Sequence, residues 1–267
     1  MLTFYQSPAP LLSESKMNIP GHFESELGVP IPGRVLPREQ WVHTALKSLP
    51  VEGPLHWESL FGRVAPVVLD LGCGNGRYLL GRAVNDPAIN GLGIDVLPMV
   101  VRYARKRANQ RGLQYLRWAV LGAQELLERY VAPHSVAEVH LYHPQPHHDP
   151  SKTHLRLVTP LLLALVRRSL APDGLFVVQT DNAGYWNYLR GVLPEFFTVE
   201  NHPKPWPDAP QGRTRREIYA LQHGLKVFRV VCRPREDLDD AAALARAAAL
   251  PQPEFSAGGK KRLKKRR

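Results

Sequence analysis

The sequence has little cysteine and no long hydrophobic run, and these absences exclude several classes of protein. Its two cysteines, Cys73 and Cys232, are too few for a disulfide scaffold or a four-cysteine zinc site. The longest apolar run, Leu161 to Val166, is far shorter than the ~20 residues of a membrane span. No apolar stretch follows the first lysine, Lys16, so we expect no secretory leader. A reducing, cytoplasmic location without a membrane partner is therefore expected.

Proline and positive charge are both in excess. Nine of the 25 prolines lie before residue 67, which indicates an extended, turn-rich N-terminal quarter. The formal net charge is +11, and seven of the eight residues of Lys260–Arg267 are basic. This tail is either a site for RNA or a solubilising, disordered end. Because it follows Gly258 and Gly259 and has no apolar face, we expect it to add non-specific RNA affinity and no chemistry.

From Val67 onward, short apolar runs alternate with helical patterns, which predicts a doubly wound α/β fold. The predicted strands are 67–71, 91–96, 115–120, 136–142, 174–180 and 225–232. The predicted helices are 75–84, 97–111, 124–130, 159–170, 185–193, 214–223 and 236–250. We divide the chain into a Pro-rich extension (1–59), a main domain (60–234), and an Ala-rich helix with the basic tail (235–267).

A glycine-rich segment joins the first predicted strand to the first helix, which is the usual cofactor position of an open α/β sheet. Its glycines are Gly72, Gly74 and Gly76, and Arg77 stands where a dinucleotide fingerprint needs glycine. Asp70 would repel a pyrophosphate, but it suits the cationic amino and sulfonium groups of S-adenosylmethionine. The segment therefore predicts an adenosylmethionine site. The alternatives are a nucleotide site, or a capped turn beside an unrelated acid.

Asp95 ends the second predicted strand, 19 residues after Gly76. A carboxylate at that place can accept hydrogen bonds from both hydroxyls of an adenosine ribose. An acid, the pattern G-x-G-x-G and a strand-end acid together resemble the class I adenosylmethionine-dependent methyltransferases. The resemblance implies their Rossmann-like sheet, mostly parallel with one antiparallel strand.

The segment after the fourth predicted strand carries a more specific resemblance. His143-Pro144-Gln145-Pro146-His147-His148 looks like the Phe-Pro-Asp-Pro-Trp-His stretch of the tRNA (guanine-N7-)-methyltransferase family. Further matches follow the family's order over residues 33–234: Gly33–Gln40, Leu60-Phe61-Gly62, Thr180-Asp181 and Thr214-Arg215-Arg216-Glu217.

This resemblance implies transfer of a methyl group from adenosylmethionine to N7 of a guanine in the tRNA variable loop, position 46 in tRNA numbering. It implies that Gln145 faces the transferring methyl as both a catalytic and a cofactor-binding residue, and that Gly122 lies near the adenine. The substrate-binding residues that it implies are Asp181, Thr214, Arg215, Arg216 and Glu217.

The chain departs from the family where the base is read. Gln145 replaces an aspartate, Gly122 replaces another, Asp149 stands where a basic residue is frequent, and His154-Leu155-Arg156 replaces Lys-Arg-Arg. Guanine N7 carries a lone pair and no proton, so its methylation needs no general base. We therefore expect Gln145 to slow or re-tune the reaction rather than abolish it.

Other interpretations remain open at this point. Thr214 and Glu217 also fit a helix capping box, and Asp181 also fits a helix cap. The prolines around His147 break any helical ligand spacing, so we expect no metal. Two other functions remain: another class I methyltransferase acting on protein or a small molecule, and a non-catalytic tRNA-binding paralogue. Monomer and homodimer are equally open.

Overall fold

The computed structural model describes residues 24–258. The first 23 residues of the predicted extension and the basic tail from Lys260 lie outside the described residues. The strands are β1 (Ser25–Glu26), β2 (Val29–Pro30), β3 (Val67–Leu71), β4 (Asn90–Asp95), β5 (Leu116–Val120), β6 (Val136–Tyr142), β7 (Leu170–Thr180), β8 (Phe197–Asn201) and β9 (Phe228–Pro234). The helices are α1 (Trp57–Phe61), α2 (Arg77–Asn85), α3 (Pro98–Gln110), α4 (Ala123–Glu125), α5 (Pro160–Ser169), α6 (Ala183–Val192), α7 (Arg215–Gln222) and α8 (Asp240–Ala249).

Seven strands form one sheet in the order β5-β4-β3-β6-β7-β9-β8. Strand β9 is antiparallel to both of its neighbours, and the other strands run parallel to one another. The predicted Rossmann-like sheet with one antiparallel strand is therefore confirmed. The strand order reverses between β3 and β6, so a crevice is expected outside their carboxyl ends, where open α/β sheets bind ligands.

Helices cover both faces of the sheet, which explains why all five residues of β3 are buried. Side chains alternate along that strand: Leu69 packs in the core shared with α5 and α8, whereas Val68 packs in the core shared with α2 and α3. Asp70 has the parity of Val68. By the same alternation, Tyr142 at the end of β6 points to the α2–α3 side.

Several parts of the fold differ from the predicted elements, among them β1, β2 and α1, which were not predicted. The helix predicted after β5 is a short α4 that continues as a π-helix, Leu126–Tyr130. Strand β7 begins at Leu170, earlier than predicted, because an irregular register near Val136 extends the pairing. Strand β8 was not predicted, since only Phe197 in it is buried and an exposed edge strand has no alternating pattern.

The N-terminal segment packs against the sheet at one place and against two helices at another. Leu46 donates its N–H to the carbonyl of Trp118 in β5, and Trp118 donates to the carbonyl of Thr44, both at 3.0 Å. The β1–β2 hairpin contacts α3 through Glu26, and its Leu27 carbonyl accepts from Gln222 of α7 at 2.8 Å. Across residues 24–258, no helix combines the length and apolar character that a membrane crossing needs.

Candidate active site

Asp70 lies near the end of β3 and is almost completely buried on the α2–α3 side of the sheet. Within the described part of the chain, its Oδ2 atom has no hydrogen-bond partner. Burial, with a contribution from the charge of Asp95, raises the pKa of the Asp70 carboxyl to about 8. A buried polar group without a partner costs about 1–3 kcal/mol. A cationic ligand beside Asp70 would remove that cost.

The three glycines after β3 have two different roles. Gly72 and Gly74 have φ values of +74° and +52°, and an added Cβ would meet no atom within 4 Å at either position. They form an open turn that a ligand can approach closely. At Gly76, an added Cβ would lie 2.7 Å from the Cβ of Ala104 and 2.8 Å from the ring of Trp118. Gly76 therefore lets α2 begin close to α3, and its role in cofactor binding stays a prediction.

Asp95 closes the other side of this turn. Its Oδ2 atom accepts from the N–H of Gly74 at 3.0 Å, and its Oδ1 atom accepts from the N–H of Leu97 at 2.9 Å. Each carboxylate oxygen keeps a second lone pair for a ribose hydroxyl. The N–H of Leu121 donates to the Asp95 carbonyl at 3.1 Å, which places the half-buried Gly122 next to this acid.

These residues fit adenosylmethionine. The unpartnered oxygen of Asp70 suits the cationic amino acid end of the cofactor, the turn at Gly72 and Gly74 leaves room for it, and Asp95 suits the ribose. The three lie at the carboxyl ends of β3 and β4, beside the reversal of strand order.

A row of polar side chains runs along one face of β6. Glu138 accepts from Nε2 of His140 at 2.8 Å, and the hydroxyl of Tyr142 contacts Nδ1 of His140 at 3.0 Å. Burial lowers the pKa of His140, although Glu138 opposes this. Nη1 of Arg213 donates to the Tyr142 hydroxyl at 2.9 Å. The hydroxyl therefore accepts from Arg213 and donates to a neutral His140.

Arg213 joins this row to the loop before α7. Its guanidinium pairs with Asp208 at 2.6 Å and lies 4.1 Å from the centroid of the Trp206 ring. That ring also stacks on His202, with 4.3 Å between the ring centroids. Because Arg213 immediately precedes Thr214, these contacts fix the start of α7 relative to β6.

A second chain of hydrogen bonds crosses the ends of β6 and β7. Trp206 Nε1 donates to Oε1 of Gln179 at 2.7 Å, Gln179 Nε2 lies 2.8 Å from Nε2 of His143, and Nδ1 of His143 lies 2.9 Å from Oδ1 of Asp181. Arg216 donates to the other oxygen of Asp181 at 2.5 Å. Burial disfavours the charged form of Asp181, but the hydrogen bonds from His143 and Arg216 outweigh it and lower the pKa to about 2.

The predicted substrate motif at α7 divides into buried and exposed halves. Thr214 caps the helix, since its hydroxyl accepts from the N–H of Glu217 at 3.1 Å. Glu217 is fully buried: its Oε1 pairs with Arg229 at 2.6 Å, and its Oε2 accepts from the N–H of Arg213 at 2.8 Å. The predicted return bond of the capping box thus goes to Arg213 rather than to Thr214. Arg215 and Arg216 are exposed.

Gln145 is exposed in the loop after β6. It follows Pro144, which is buried, and precedes Pro146, whose carbonyl accepts from Arg156 at 2.8 Å. Residues 24–258 contain no group of three or more histidine, cysteine or acidic side chains placed to hold a metal ion.

Sequence reasoning missed the buried polar network, although a signal was present. Glu138, His140 and Tyr142 recur at every second position of a strand whose other residues are apolar. Such a row on a buried strand predicts polar partners from another element. Gln179 and Trp206, by contrast, are isolated polar or aromatic residues whose pairing depends on the sheet.

Comparisons with known proteins agree with this site. The sequence profile of a family described as putative methyltransferases matches residues 64–230. A tRNA (guanine-N(7)-)-methyltransferase of Halorhodospira halophila is 33% identical over 196 residues, which are 71% of this chain and 84% of that protein. A tRNA (guanine-N(7)-)-methyltransferase of Alcanivorax borkumensis is 34% identical over 176 residues, which are 66% of this chain and 74% of that protein.

Solved structures support the fold. The crystal structure of the 16S rRNA methyltransferase KamB superposes with a TM-score of 0.52 and 15% identity, over 72% of this chain and 99% of that one. At this identity the likeness concerns the fold alone. The profile match and the identity to the curated relatives show the family: the chain is a methyltransferase that belongs to the tRNA (guanine-N7-)-methyltransferase family.

Proposed function

We propose that the protein transfers a methyl group from adenosylmethionine to N7 of a guanine in the tRNA variable loop, at position 46 in tRNA numbering, and that it does so in the cytoplasm. The observation that carries the proposal is the unpartnered, buried oxygen of Asp70 beside the open turn at Gly72 and Gly74. It supports a cationic cofactor, and the relatives' shared activity supports the substrate.

The proposed chemistry asks little of the protein beyond positioning. Bound adenosylmethionine supplies an electrophilic methyl group on a sulfonium sulfur. The lone pair of guanine N7 could accept this methyl group without losing a proton, so no side chain of the protein would need to act as a general base. Holding N7 in line with the methyl can supply several kcal/mol. The side-chain oxygen of Gln145 can stabilise the cationic product as a hydrogen-bond acceptor. Its partial negative charge is weaker than the full charge of the family's carboxylate.

The surroundings of the crevice suit an anionic substrate. Arg215, Arg216 and Lys152 are exposed near the ends of β6 and β7, on the loop after β6 and the start of α7. Asp181 holds Arg216 by an ion pair at 2.5 Å, which leaves the rest of its guanidinium for phosphate. We propose that Asp181 and Thr214 orient helix α7, which carries the arginines. We also propose that Glu217 holds this helix in place through its bonds to Arg229 and Arg213.

The test is incubation of the full chain with methyl-labelled adenosylmethionine and bulk tRNA, followed by nucleoside mass spectrometry. We expect N7-methylguanosine. A tRNA transcript whose variable-loop guanine is replaced by adenine should not be labelled, and duplex DNA should not be labelled either. Labelled adenine or cytosine alone would overturn the guanine-N7 assignment. Binding of tRNA and cofactor without any methyl transfer would contradict the proposed activity.

A further inference from the structure

Residues 251–258, here called the C-terminal strap, lie across the carboxyl ends of β6 and β7. The side-chain amide of Asn182, which follows β7, donates to the carbonyl of Ala257 at 2.9 Å. Nδ1 of His148, in the loop after β6, lies 2.7 Å from the carbonyl of Gly258. The end of the strap therefore contacts both of the loops that follow these two strands.

Arg156 joins the middle of the strap to the loop after β6. On the strap side, its guanidinium donates to the carbonyls of Pro253 at 2.5 Å and Phe255 at 2.9 Å. On the loop side, it donates to the carbonyls of Pro146 at 2.8 Å and His147 at 3.3 Å. Because Arg156 is buried, these four carbonyls take the place of water around its charge. Displacement of the strap would remove two of the four.

Helix α6 is shaped to admit the strap. The Phe255 ring packs 4.9 Å from the ring of Tyr185 in this helix, and the Arg156 guanidinium lies 3.7 Å from the centroid of the Phe255 ring. At Gly184, an added Cβ would lie 2.2 Å from the carbonyl oxygen of Ser256. The strap can take this path only because residue 184 has no side chain. At residue 191 of the same helix, also a glycine, an added Cβ would meet nothing within 4 Å.

The direction of the Gln145 side chain depends on the backbone that flanks it. Gln145 is exposed, and its side chain forms no hydrogen bond with the rest of residues 24–258. On its amino-terminal side, the N–H of His143 donates to the carbonyl of Gln179 in β7 at 2.6 Å. On its carboxyl-terminal side, the carbonyls of the next two residues are held by Arg156. The sheet thus supports one side of Gln145, and the strap supports the other side through Arg156.

We propose that the strap is a positioning element, which holds the loop after β6 in the conformation that presents Gln145 to the methyl-transfer site. The proposal rests on the proposed function. It concerns the rate of transfer, because a small displacement of an aligned group can cost much of the rate. Cofactor binding should be independent of the strap, since none of its contacts given above involves Asp70, Asp95 or the turn between β3 and α2.

Two full-length variants displace the strap from opposite sides. Gly184→Ala places a methyl group against the Ser256 carbonyl and is otherwise favourable in a helix, with Gly191→Ala as its matched control. Phe255→Ala removes the ring that packs on α6. Each variant is also combined with Gln145→Leu. The measurements are kcat and KM for tRNA and adenosylmethionine.

NMR of 15N-labelled histidine reports the structure of the same variants. The ring signal of His148, which contacts the Gly258 carbonyl, shows whether the strap is docked. The ring signal of His147 shows whether the loop itself has moved, because His147 is joined to the strap only through its backbone and Arg156. His148→Gln and His147→Gln assign the two signals.

We expect both strap variants to shift the two histidine signals and to lower kcat about five-fold or more, with the KM for adenosylmethionine within about two-fold. Gln145→Leu should lower kcat about ten-fold in the wild type but less than about two-fold in either strap variant, because the released loop no longer holds residue 145 at the methyl. Gly191→Ala should match the wild type. Loss of stability alone would leave the effect of Gln145→Leu unchanged.

Several results would overturn the proposal. If the His148 signal shifts and kcat does not change, the strap does not position the loop. If kcat falls but Gln145→Leu still has its full effect in the strap variants, the strap acts on another group. If neither variant shifts the His148 signal, the contacts described above do not hold the strap.

Failure of the proposed function would be recognised separately, by a wild type that does not methylate tRNA. The NMR measurement then still tests the positioning of the loop. A His147 signal that shifts together with that of His148 would support it, and a His147 signal that stays in place while that of His148 shifts would contradict it.

Discussion

The side-chain amide of Gln179 lies 2.8 Å from Nε2 of His143, and a third residue determines which atom of that amide faces the histidine. Trp206 Nε1 can only donate, so the atom that it contacts at 2.7 Å must be the Gln179 oxygen. The amide nitrogen therefore donates to His143, whose Nε2 must carry a lone pair. The proton of the neutral ring lies on Nδ1 and is donated to Asp181.

We expect 15N NMR to show that neutral His143 is the Nδ1–H tautomer. Trp206→Phe removes the donor that orients Gln179, so the tautomer preference should weaken, and methyl transfer should slow about 3–10-fold as Asp181 and Arg216 lose their fixed orientation. Trp186→Phe is the control, because Trp186 stacks on Phe228 away from this chain of bonds. An Nε2–H tautomer in the wild type would contradict the assignment.

Asp70 should make the cofactor-free protein less stable as the pH rises. Its pKa is about 8 in the folded chain and 3.8 when unperturbed, so between these values the folded state holds a proton that the unfolded state has lost. The free energy of unfolding should therefore fall by up to about 1.4 kcal/mol per pH unit between about pH 4 and pH 8 through this group. Asp70→Asn should remove that contribution.

The measurement is denaturant unfolding of wild type and Asp70→Asn at several pH values. The stability advantage of the variant should grow from pH 4 to pH 8 and then become constant. Asp173→Asn, an exposed acid at the amino-terminal part of β7, serves as the control and should track the wild type. If the difference in unfolding free energy between the variant and the wild type is instead constant across this range, Asp70 is ionised in the folded protein.

Cofactor binding should release a proton from Asp70. A cationic ligand favours the ionised carboxyl, so below about pH 8 binding must displace the proton. Affinity should rise with pH up to about 8 and then level off. Calorimetry in two buffers of different ionisation enthalpy should detect about one proton released at pH 6.5. In Asp70→Asn the release should vanish, and affinity should drop by about ten-fold or more at pH 8.

Glu217 should prove more important for stability than for substrate contact. The variant Glu217→Ala leaves the guanidinium of Arg229 buried without its partner, which should lower the free energy of unfolding by about 3–5 kcal/mol.

The variant Arg216→Ala breaks a partly exposed ion pair. It should lower the free energy of unfolding by less than about 1 kcal/mol and raise the KM for tRNA. Replacing both buried partners, as in Glu217→Leu with Arg229→Met, should recover most of the stability. A stable Glu217→Ala that has lost only tRNA affinity would mean that Glu217 meets the substrate.

The position of Gln145 at the methyl-transfer site stays a prediction. Gln145→Asp should hold or raise kcat, because a carboxylate stabilises the cationic product. Gln145→Leu should lower kcat about ten-fold, because the acceptor is lost. Gln114→Leu, an exposed glutamine before the amino end of β5, controls for added surface hydrophobicity. Equal activity in all three variants would place another residue at the transfer site.

Much of the site was predictable because its parts are local. Asp70, Gly72, Gly74 and Asp95 belong to a strand, its turn and the next strand, so periodicity and spacing located them together at one edge of the sheet. The confirmed family resemblance depended on short motifs in a fixed order, which a linear chain displays directly. The division of the chain at residues 59 and 234 stays a prediction.

The sequence by itself determined the alternation of strands and helices from β3 onward, other than β8, the strand-end acids and the family, because short local patterns and motifs in a fixed order display these directly. Tertiary structure alone decided that Gly76 serves packing, that Glu217 is buried against Arg229, and that Phe255 docks on α6. In each case the partner lies at the other end of an element or far along the chain. Burial and hydrogen-bond geometry belong to such pairs, and no residue type or spacing encodes them before the chain has folded.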